Sequence, residues 1–315
     1  MDSELAVLAI GGNSLIRDKE HRSLPDQYET VKETCTHVAD LIEDGFRTVI
    51  THGNGPQVGF ILRRAELATH ELHTVPLDIC GADTQGAIGY MIQMALHNEF
   101  RKRGIAKSAV TVVTQTLVDK NDRSFSDPTK PIGSFMPEEE ALTNKKEYGW
   151  EIVEDAGRGF RRVVPSPIPT DIIELDAIKS LIDRGYVVVA AGGGGIPVIK
   201  DETGNLHGVE AVIDKDRATS LLATNLGADI FIISTSIDCV YLNFGEENQR
   251  SLRRVTLPEI KRYLGEGHFK PGSMKPKIES IIRFLENGGK RAIVTSPENI
   301  RGGIKGDSGT TITAK

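Results

Sequence analysis

Three glycine clusters stand where short apolar runs end. Leu8-Ala9-Ile10 leads into Gly11-Gly12-Asn13-Ser14, Val49-Ile50-Thr51 into His52-Gly53-Asn54-Gly55-Pro56, and Val188-Val189-Ala190-Ala191 into Gly192-Gly193-Gly194-Gly195-Ile196-Pro197. Glycine lets a backbone come close to a ligand, and successive N–H groups ahead of a helix N-terminus cradle an anion. One such cluster is as easily a tight strand-to-helix turn. Three at equivalent positions point to a phosphate or carboxylate site at the carboxyl edge of a parallel sheet, where ligands bind.

Phosphoryl transfer needs cations on oxygens that carry spread negative charge, and little other covalent chemistry. Three lysines have suitable surroundings. Lys130 lies in Asp127-Pro128-Thr129-Lys130-Pro131-Ile132-Gly133, where the prolines stiffen the loop that carries it. Lys215 lies between Asp214 and Asp216, which would keep it protonated and could orient it or help to hold a metal ion. Lys277 follows a helix-entry signal in Pro271-Gly272-Ser273-Met274-Lys275-Pro276-Lys277. Taken singly, each lysine is more ordinarily a solvated surface group. His52, beside a tight turn, is expected to bond backbone rather than substrate. Arg158, Arg161 and Arg162 suit a phosphate or a surface ion-pair patch equally. Glu138-Glu139-Glu140 after Pro137 reads as a solvated helix start.

Other phosphate codes are missing. No G-x-x-x-x-G-K-[ST] occurs, no strict G-x-G-x-x-G opens a helix, and neither H-R-D nor D-F-G is present. Walker-type ATPases, nicotinamide dehydrogenases and protein kinases are thereby set aside. A net charge of −6, from 38 Lys+Arg against 44 Asp+Glu, argues against general binding to nucleic acid or an anionic membrane. Aromatic content of 5% disfavours base-stacking platforms. Cys35, Cys80 and Cys239 form no C-x-x-C pair, so reduced, buried thiols are expected. The longest apolar stretch, Tyr186 to Ala191, is far short of the about 20 residues of a membrane span. A cytoplasmic protein is the expectation.

The elements that must position these residues follow from periodicity. Apolar β-branched runs predict strands over Leu5 to Ile10, Thr48 to Thr51, Val110 to Thr114, Val187 to Ala191, Ile230 to Ser234 and Ala292 to Thr295. Helices are predicted over Pro25 to Asp44 and Ile172 to Arg184, each stopped by a glycine. Such alternation predicts an α/β fold with a mainly parallel sheet covered by helices on both faces. Two stretches break the pattern. Residues 119 to 165, rich in charge, Pro and Gly, predict a small projecting subdomain, and residues 241 to 274 read as an irregular excursion.

Taken in order, these segments resemble the carbamate kinases of the amino acid kinase superfamily. The resemblance runs over nearly the whole chain. It includes Gly11-Gly12-Asn13, His52 to Gly59, Gln85-Gly86 to Tyr90, Pro128 to Gly133, Glu154 to Gly159, Val164 to Pro167, Gly192 to Pro197, Val209 to Asp216 and Gly267 to Lys277. It implies a three-layer αβα sandwich and a homodimer. Residues 1 to 208 would form the acceptor-binding part and 209 to 315 the nucleotide-binding part. It also implies the reaction, ADP and carbamoyl phosphate interconverting with ATP and carbamate with Mg²⁺, in arginine breakdown. Gly11, Gly12, Asn13, Gly53 and Asn54 would hold the carbamoyl end and the transferring group. Lys130 would descend on the acceptor, Lys215 would neutralise the phosphoryl group in flight, and Lys277 would hold nucleotide phosphates. Asp214 and Asp216 would orient the lysines, and Ser236, Tyr241 and Met274 fall in the nucleotide region. No protein ligand set for the metal is implied, Mg²⁺ being carried mainly by the nucleotide's phosphates.

Some positions depart from the family pattern. Ser234-Thr235-Ser236-Ile237-Asp238 stands where Thr-Gly-Val-Asp is usual, Phe160 replaces a Trp, and Asp83 adds an acidic group. Two rival functions stay open: another amino acid kinase acting on a carboxylate such as acetylglutamate, and a non-catalytic nucleotide or anion sensor, to which Ser236 points.

Overall fold

The structure, a computed structural model, describes residues 3–12, 15–18, 20–154 and 159–315. Strand β1 (Leu5–Ile10) is buried at every position, as a strand covered on both faces must be. Helix α1 (Leu24–Glu43) starts at a capping box: Ser23 Oγ accepts from Asp26 N–H while the Asp26 carboxylate accepts from Ser23 N–H. Gly45, at φ 94°, turns the chain into β2 (Arg47–His52). Helices α2 (Gly55–Leu67) and α3 (Leu77–Arg103) follow, and Gly104 ends α3 in the left-handed region.

Strand β3 (Ala109–Thr111) is shorter than the predicted Val110 to Thr114. The chain leaves the main sheet after Thr111 because β4 (Gln115–Val118) belongs to a second one. The projecting unit expected at 119 to 165 contains β5 (Lys130–Met136), α4 (Glu138–Tyr148), β6 (Glu151–Glu154) and β7 (Phe160–Val164), its strands ordered β5-β7-β6. Strand β8 (Pro169–Ile172) corrects a further expectation: Ile172 pairs with Thr116, and α5 (Leu175–Asp183) begins three residues later. The delay goes with a tertiary contact, Glu174 turning its carboxylate onto the Gln115 N–H and side-chain amide.

Strand β9 (Val187–Val189) is followed by β10 (Ile196–Lys200), β11 (Leu206–Gly208), α6 (Lys215–Asn225) and β12 (Ile230–Ser234). The stretch 241 to 274 is more regular than predicted. It contains most of the hairpin β13 (Val240–Leu242) and β14 (Arg250–Leu252), then β15 (Arg254–Thr256) and α7 (Leu257–Gly265). Thr256 and Glu259 form a capping box for α7, a signal present in the sequence as Thr-Leu-Pro-Glu. Helix α8 (Met274–Glu286), β16 (Arg291–Thr295), α9 (Ile300–Lys305) and β17 (Thr310–Thr313) complete the chain.

The main sheet has eight strands in the order β15-β17-β16-β12-β1-β2-β9-β3. Every neighbouring pair from β16 to β3 is parallel, while β17 runs antiparallel on β16. Alternation along β1 builds two cores. Leu5, Val7 and Ala9 pack with residues of α5, α6, α7 and α8, whereas Ala6, Leu8 and Ile10 pack with α1, α3 and α9. The result is the expected three-layer αβα arrangement. A four-stranded sheet, β11-β10-β4-β8, was not foreseen. The three cysteines are free and buried, and no described helix is long and apolar enough to cross a membrane.

Ile232 lies in the middle of β12 with no exposed surface. Ile232→Ala is expected to lower the unfolding free energy by about 3 kcal/mol, the scale of an aliphatic truncation in a packed core. Urea denaturation measures it, and a loss under about 1 kcal/mol would contradict the packing described.

Candidate active site

Because β12, β1, β2 and β9 are adjacent and parallel, the loops that leave their carboxyl ends meet. Gly11 N–H donates to Ser234 O and Gly53 N–H to Ile10 O, both at 3.1 Å. A Cβ at Gly11 would stand 3.1 Å from that Ser234 oxygen. A Cβ at Gly192 would enter the His52 ring, and one at Gly193 the Asn54 amide. Gly11, Gly12, Gly53, Asn54 and Gly192–Gly195 therefore gather in one place. The N–H groups of Gly12, Asn54 and Gly193 take no acceptor among the described residues, which leaves them for an anion. Asn13 and Arg158 lie outside the described residues.

The lysines converge on the first turn of α6. Asp214 caps that helix: its Oδ1 accepts from the N–H groups of Asp216 (3.0 Å) and Arg217 (3.3 Å), and its Oδ2 accepts from Lys130 Nζ at 3.0 Å. Lys130, the first residue of β5, is thus delivered by the projecting unit. Asp216 accepts from Lys215 Nζ at 2.6 Å on one oxygen and from Lys277 Nζ, in the first turns of α8, at 2.8 Å on the other. Both carboxylates sit at the positive end of the α6 dipole, which favours their charge.

Burial works against the Asp216 charge, but the two ammonium groups outweigh it and hold this carboxyl well below the usual range. Among the described residues Lys215 pairs with Asp216 alone, and burial, joined by the charge of Lys277, pulls its pKa below that of an ordinary lysine although both Asp216 and Asp214 favour its charge. A lysine so placed gains from any further anion that comes near.

His52 bonds backbone, as expected, with Nδ1 3.0 Å from Gly53 O. Burial lowers its pKa to about 4, with Lys215 contributing, so the ring is neutral. Its N–H then lies on Nδ1, and Nε2 has no partner among the described residues. The arginine cluster splits. Arg161 lies over the Phe135 ring, 5.2 Å from its centroid, and donates to Gly133 O, whereas Arg162 lies over Trp150 and pairs with Glu210 at 3.4 Å. Glu138–Glu140 begin α4, as read from the sequence.

A cavity of about 110 Å³ joins Lys130 and Arg161 to Asn54, Gly193 and Gly195. A second, of about 70 Å³, is walled by Ile237, Tyr241, Phe244, His268, Phe269 and Met274, with Lys270 and Ser273 at its side. Its aromatic and aliphatic lining suits a nucleobase. Tyr241 and Met274, expected in the nucleotide region, line it. Ser236, expected there too, does not: it is exposed, and its neighbour Ile237 takes the wall. Ser236 is also outside the positive-φ positions, so its backbone does not require the family's glycine. Phe244, His268 and Phe269 also line this cavity, and nothing local in the sequence marks an aromatic as cavity wall rather than core. A further cavity, of about 390 Å³, lies between α2 and α4 beside Arg63 and Trp150, and none of the three lysines lines it.

Residues 4–296 match the amino acid kinase family. The carbamate kinase of Thermococcus kodakarensis is 48% identical over 309 residues, spanning 97% of this chain and 98% of its own. The chain belongs to the carbamate kinases of the amino acid kinase family. The carbamate kinase-like protein YahI of Escherichia coli is 50% identical over 312 residues, or 98% of both chains. The carbamate kinase from Giardia lamblia bound to AMP-PNP superposes with a TM-score of 0.93 at 40% identity, covering 99% of this chain and 98% of that one. Kinase family members of this kind are phosphotransferases, and a cluster of three ammonium groups beside glycine loops is the local counterpart of that chemistry.

In this carbamate kinase family member the neutral His52 ties stability to pH. The unfolded chain binds its proton near the ordinary pKa of 6.5 and the folded chain only near 4. Stability is therefore full above 6.5 and declines as pH falls toward 4, by about 3 kcal/mol. Unfolding free energies of the wild type and His52→Asn across this range check it. Parallel curves would show that His52 is not buried in its neutral form.

Proposed function

We propose that this chain is a carbamate kinase that moves a phosphoryl group between carbamoyl phosphate and ADP, giving ATP and carbamate. The observation that carries the reading is the grip of one buried carboxylate, Asp216, on Lys215 and Lys277 beside the glycine loops, with Lys130 brought to the same helix turn. The division of labour follows from position. Residues 1 to 208 bind the acceptor and 209 to 315 the nucleotide. Backbone N–H groups at Gly12, Asn54 and Gly193 receive the carbamoyl end and the transferring group, with Gly11 and Gly53, whose own N–H groups are taken by Ser234 O and Ile10 O, allowing the close approach and Asn13 adding its amide. The cavity walled by Tyr241 and Met274 takes the base.

In the ATP-forming direction a terminal phosphate oxygen of ADP forms the new P–O bond while the P–O bond to the carbamoyl oxygen breaks, its electron pair leaving with carbamate. Both end oxygens are anionic, so no proton has to move and no general base is required. Lys215 follows the phosphoryl group in flight, Lys277 the nucleotide phosphates, and Lys130 the charge that grows on the leaving carbamate. Mg²⁺ bound to the phosphates would neutralise part of their charge. The residues present fit a metal carried that way, because the Asp214 and Asp216 carboxylates are engaged by ammonium groups.

ATP formation from ADP, Mg²⁺ and carbamoyl phosphate tests the reading, with acetylglutamate plus ATP run alongside. Turnover only with acetylglutamate would overturn it, and nucleotide binding without any turnover would favour a sensor. Lys130→Ala is expected to lower kcat by about 10²-fold, the scale of losing one preorganised charge-stabilising group. An unchanged kcat would reduce Lys130 to a loop lysine.

We also propose a cytoplasmic homodimer. Helix α3 supports it, since it exposes Ile79 and Tyr90 on the face turned away from the sheet, and Val113 is exposed beyond the neighbouring edge strand β3. Sedimentation should give twice the chain mass, and Tyr90→Arg should shift it toward the monomer. A monomeric wild type would contradict this assembly.

A further inference from the structure

The loop Ala191–Gly195 makes two bonds of its own, Gly194 N–H to Ala191 O and Gly195 N–H to Gly192 O, both at 3.0 Å, and takes the rest of its support from outside. Ala191, a residue with a Cβ, sits at φ 48°, and Gly193, Gly194 and Gly195 follow at 67°, 101° and 85°. Left-handed geometry in a non-glycine residue persists only where the surroundings enforce it. Two of its contacts come from the chain segment after β3: Ala191 N–H donates to Thr114 Oγ1 at 2.9 Å, and Thr116 Oγ1 donates to Gly194 O at 3.0 Å. The third comes from a different layer. Gln85, buried in α3, donates from Nε2 to Gly192 O at 3.1 Å and to Thr114 O at 3.0 Å, and its Oε1 accepts from Thr114 N–H at 2.7 Å.

This amide does what a peptide group would do in a continuing sheet. The β3–β9 ladder stops at Thr111 and Val189, with one further bond from Val112 N–H to Val189 O, and beyond that the two chains part. Gln85 bridges them where no ladder remains. The residue before it serves the neighbouring loop, for Thr84 Oγ1 accepts from Asn54 Nδ2 at 2.8 Å. Gly193 in turn packs against that Asn54 side chain. Adjacent residues of one helix thus set the spacing of two of the three loops that receive the anion.

We propose that Gln85 is a positioning residue for the phosphoryl-transfer site, holding Gly192 and Thr114 so that the Gly193 N–H and the Asn54 amide face the transferring group together. The proposal rests on the carbamate kinase reading only for the identity of the anion. Gln85→Met keeps the length of the side chain and removes all three bonds. Loop misplacement on the ångström scale is expected to lower kcat for ATP formation by about 10²-fold. Affinity for carbamoyl phosphate alone should weaken by about tenfold, from lost N–H donation. ADP affinity should stay within about twofold, because the nucleotide cavity shares no residue with this clamp.

Calorimetric titration with carbamoyl phosphate and, separately, ADP gives both affinities without turnover. If the wild type binds carbamoyl phosphate but makes no ATP, the functional reading falls, and the binding of Gln85→Met still decides the clamp. A folded Gln85→Met with wild-type kcat and carbamoyl phosphate affinity would overturn the proposal, as would parallel losses of ADP and carbamoyl phosphate affinity. Should Gln85→Met not fold, Thr84→Val decides in its place. A fall in kcat at constant ADP affinity supports the helix clamp, and wild-type behaviour overturns it.

Discussion

The Asp216 carboxylate accepts from Lys215 at 2.6 Å and Lys277 at 2.8 Å in a buried position, and the rest of the site is arranged around that arrangement of charge. Two ammonium groups brought out of water repel one another and forfeit hydration, so they need a counter-charge that cannot drift. A carboxylate on the first turn of α6 meets that need, because the helix dipole favours it and the backbone fixes it. Asp216 N–H is itself held by Asp214, whose other oxygen takes Lys130. A continuous path of hydrogen bonds therefore runs from the projecting unit, through one helix turn, to α8.

That path explains how an acidic protein can carry phosphoryl-transfer chemistry. The overall charge of −6 describes the solvated surface, whereas the site has three ammonium groups against two carboxylates within one helix turn. Burial keeps these charges from being screened, and it is also why Lys215 holds its proton less firmly than a surface lysine. Three ammonium groups against two carboxylates leave one positive charge, which an incoming phosphate would offset as a sixth member of the cluster.

The second constraint is the backbone of the loops. Parallel strands release their carboxyl ends on one edge, so the turns after β1, β2 and β9 crowd together, and side chains there are excluded by His52, Asn54 and Ser234. Glycine resolves the crowding but leaves a flexible chain. Beside the loops' own backbone bonds, further hydrogen bonds reach them from Gln85, Thr84, Thr114 and Thr116, all of them buried. The catalytic face of the sheet and the packing of α3 are for that reason parts of one structure.

Much of this was legible locally. The runs Leu5–Ile10 and Ile230–Ser234 are strands over the residues predicted, Gly45 stops the first helix, and the glycines after three strands lie together at the carboxyl edge of the sheet, because period and turn conformations are properties of neighbouring residues. The three lysines could be picked out by type and setting. Their partners could not: Lys130 is 84 residues from Asp214, and Lys277 is 61 from Asp216. The same holds for Gln85, 107 residues from Gly192, for Ile172, drawn into a strand by Thr116, and for Ile237 taking the wall expected of Ser236. Sequence determined which groups were available and which local shapes they favour. Tertiary structure alone decided which charges share a carboxylate and which amide replaces a missing ladder, since those depend on strand order and burial that no short spacing encodes.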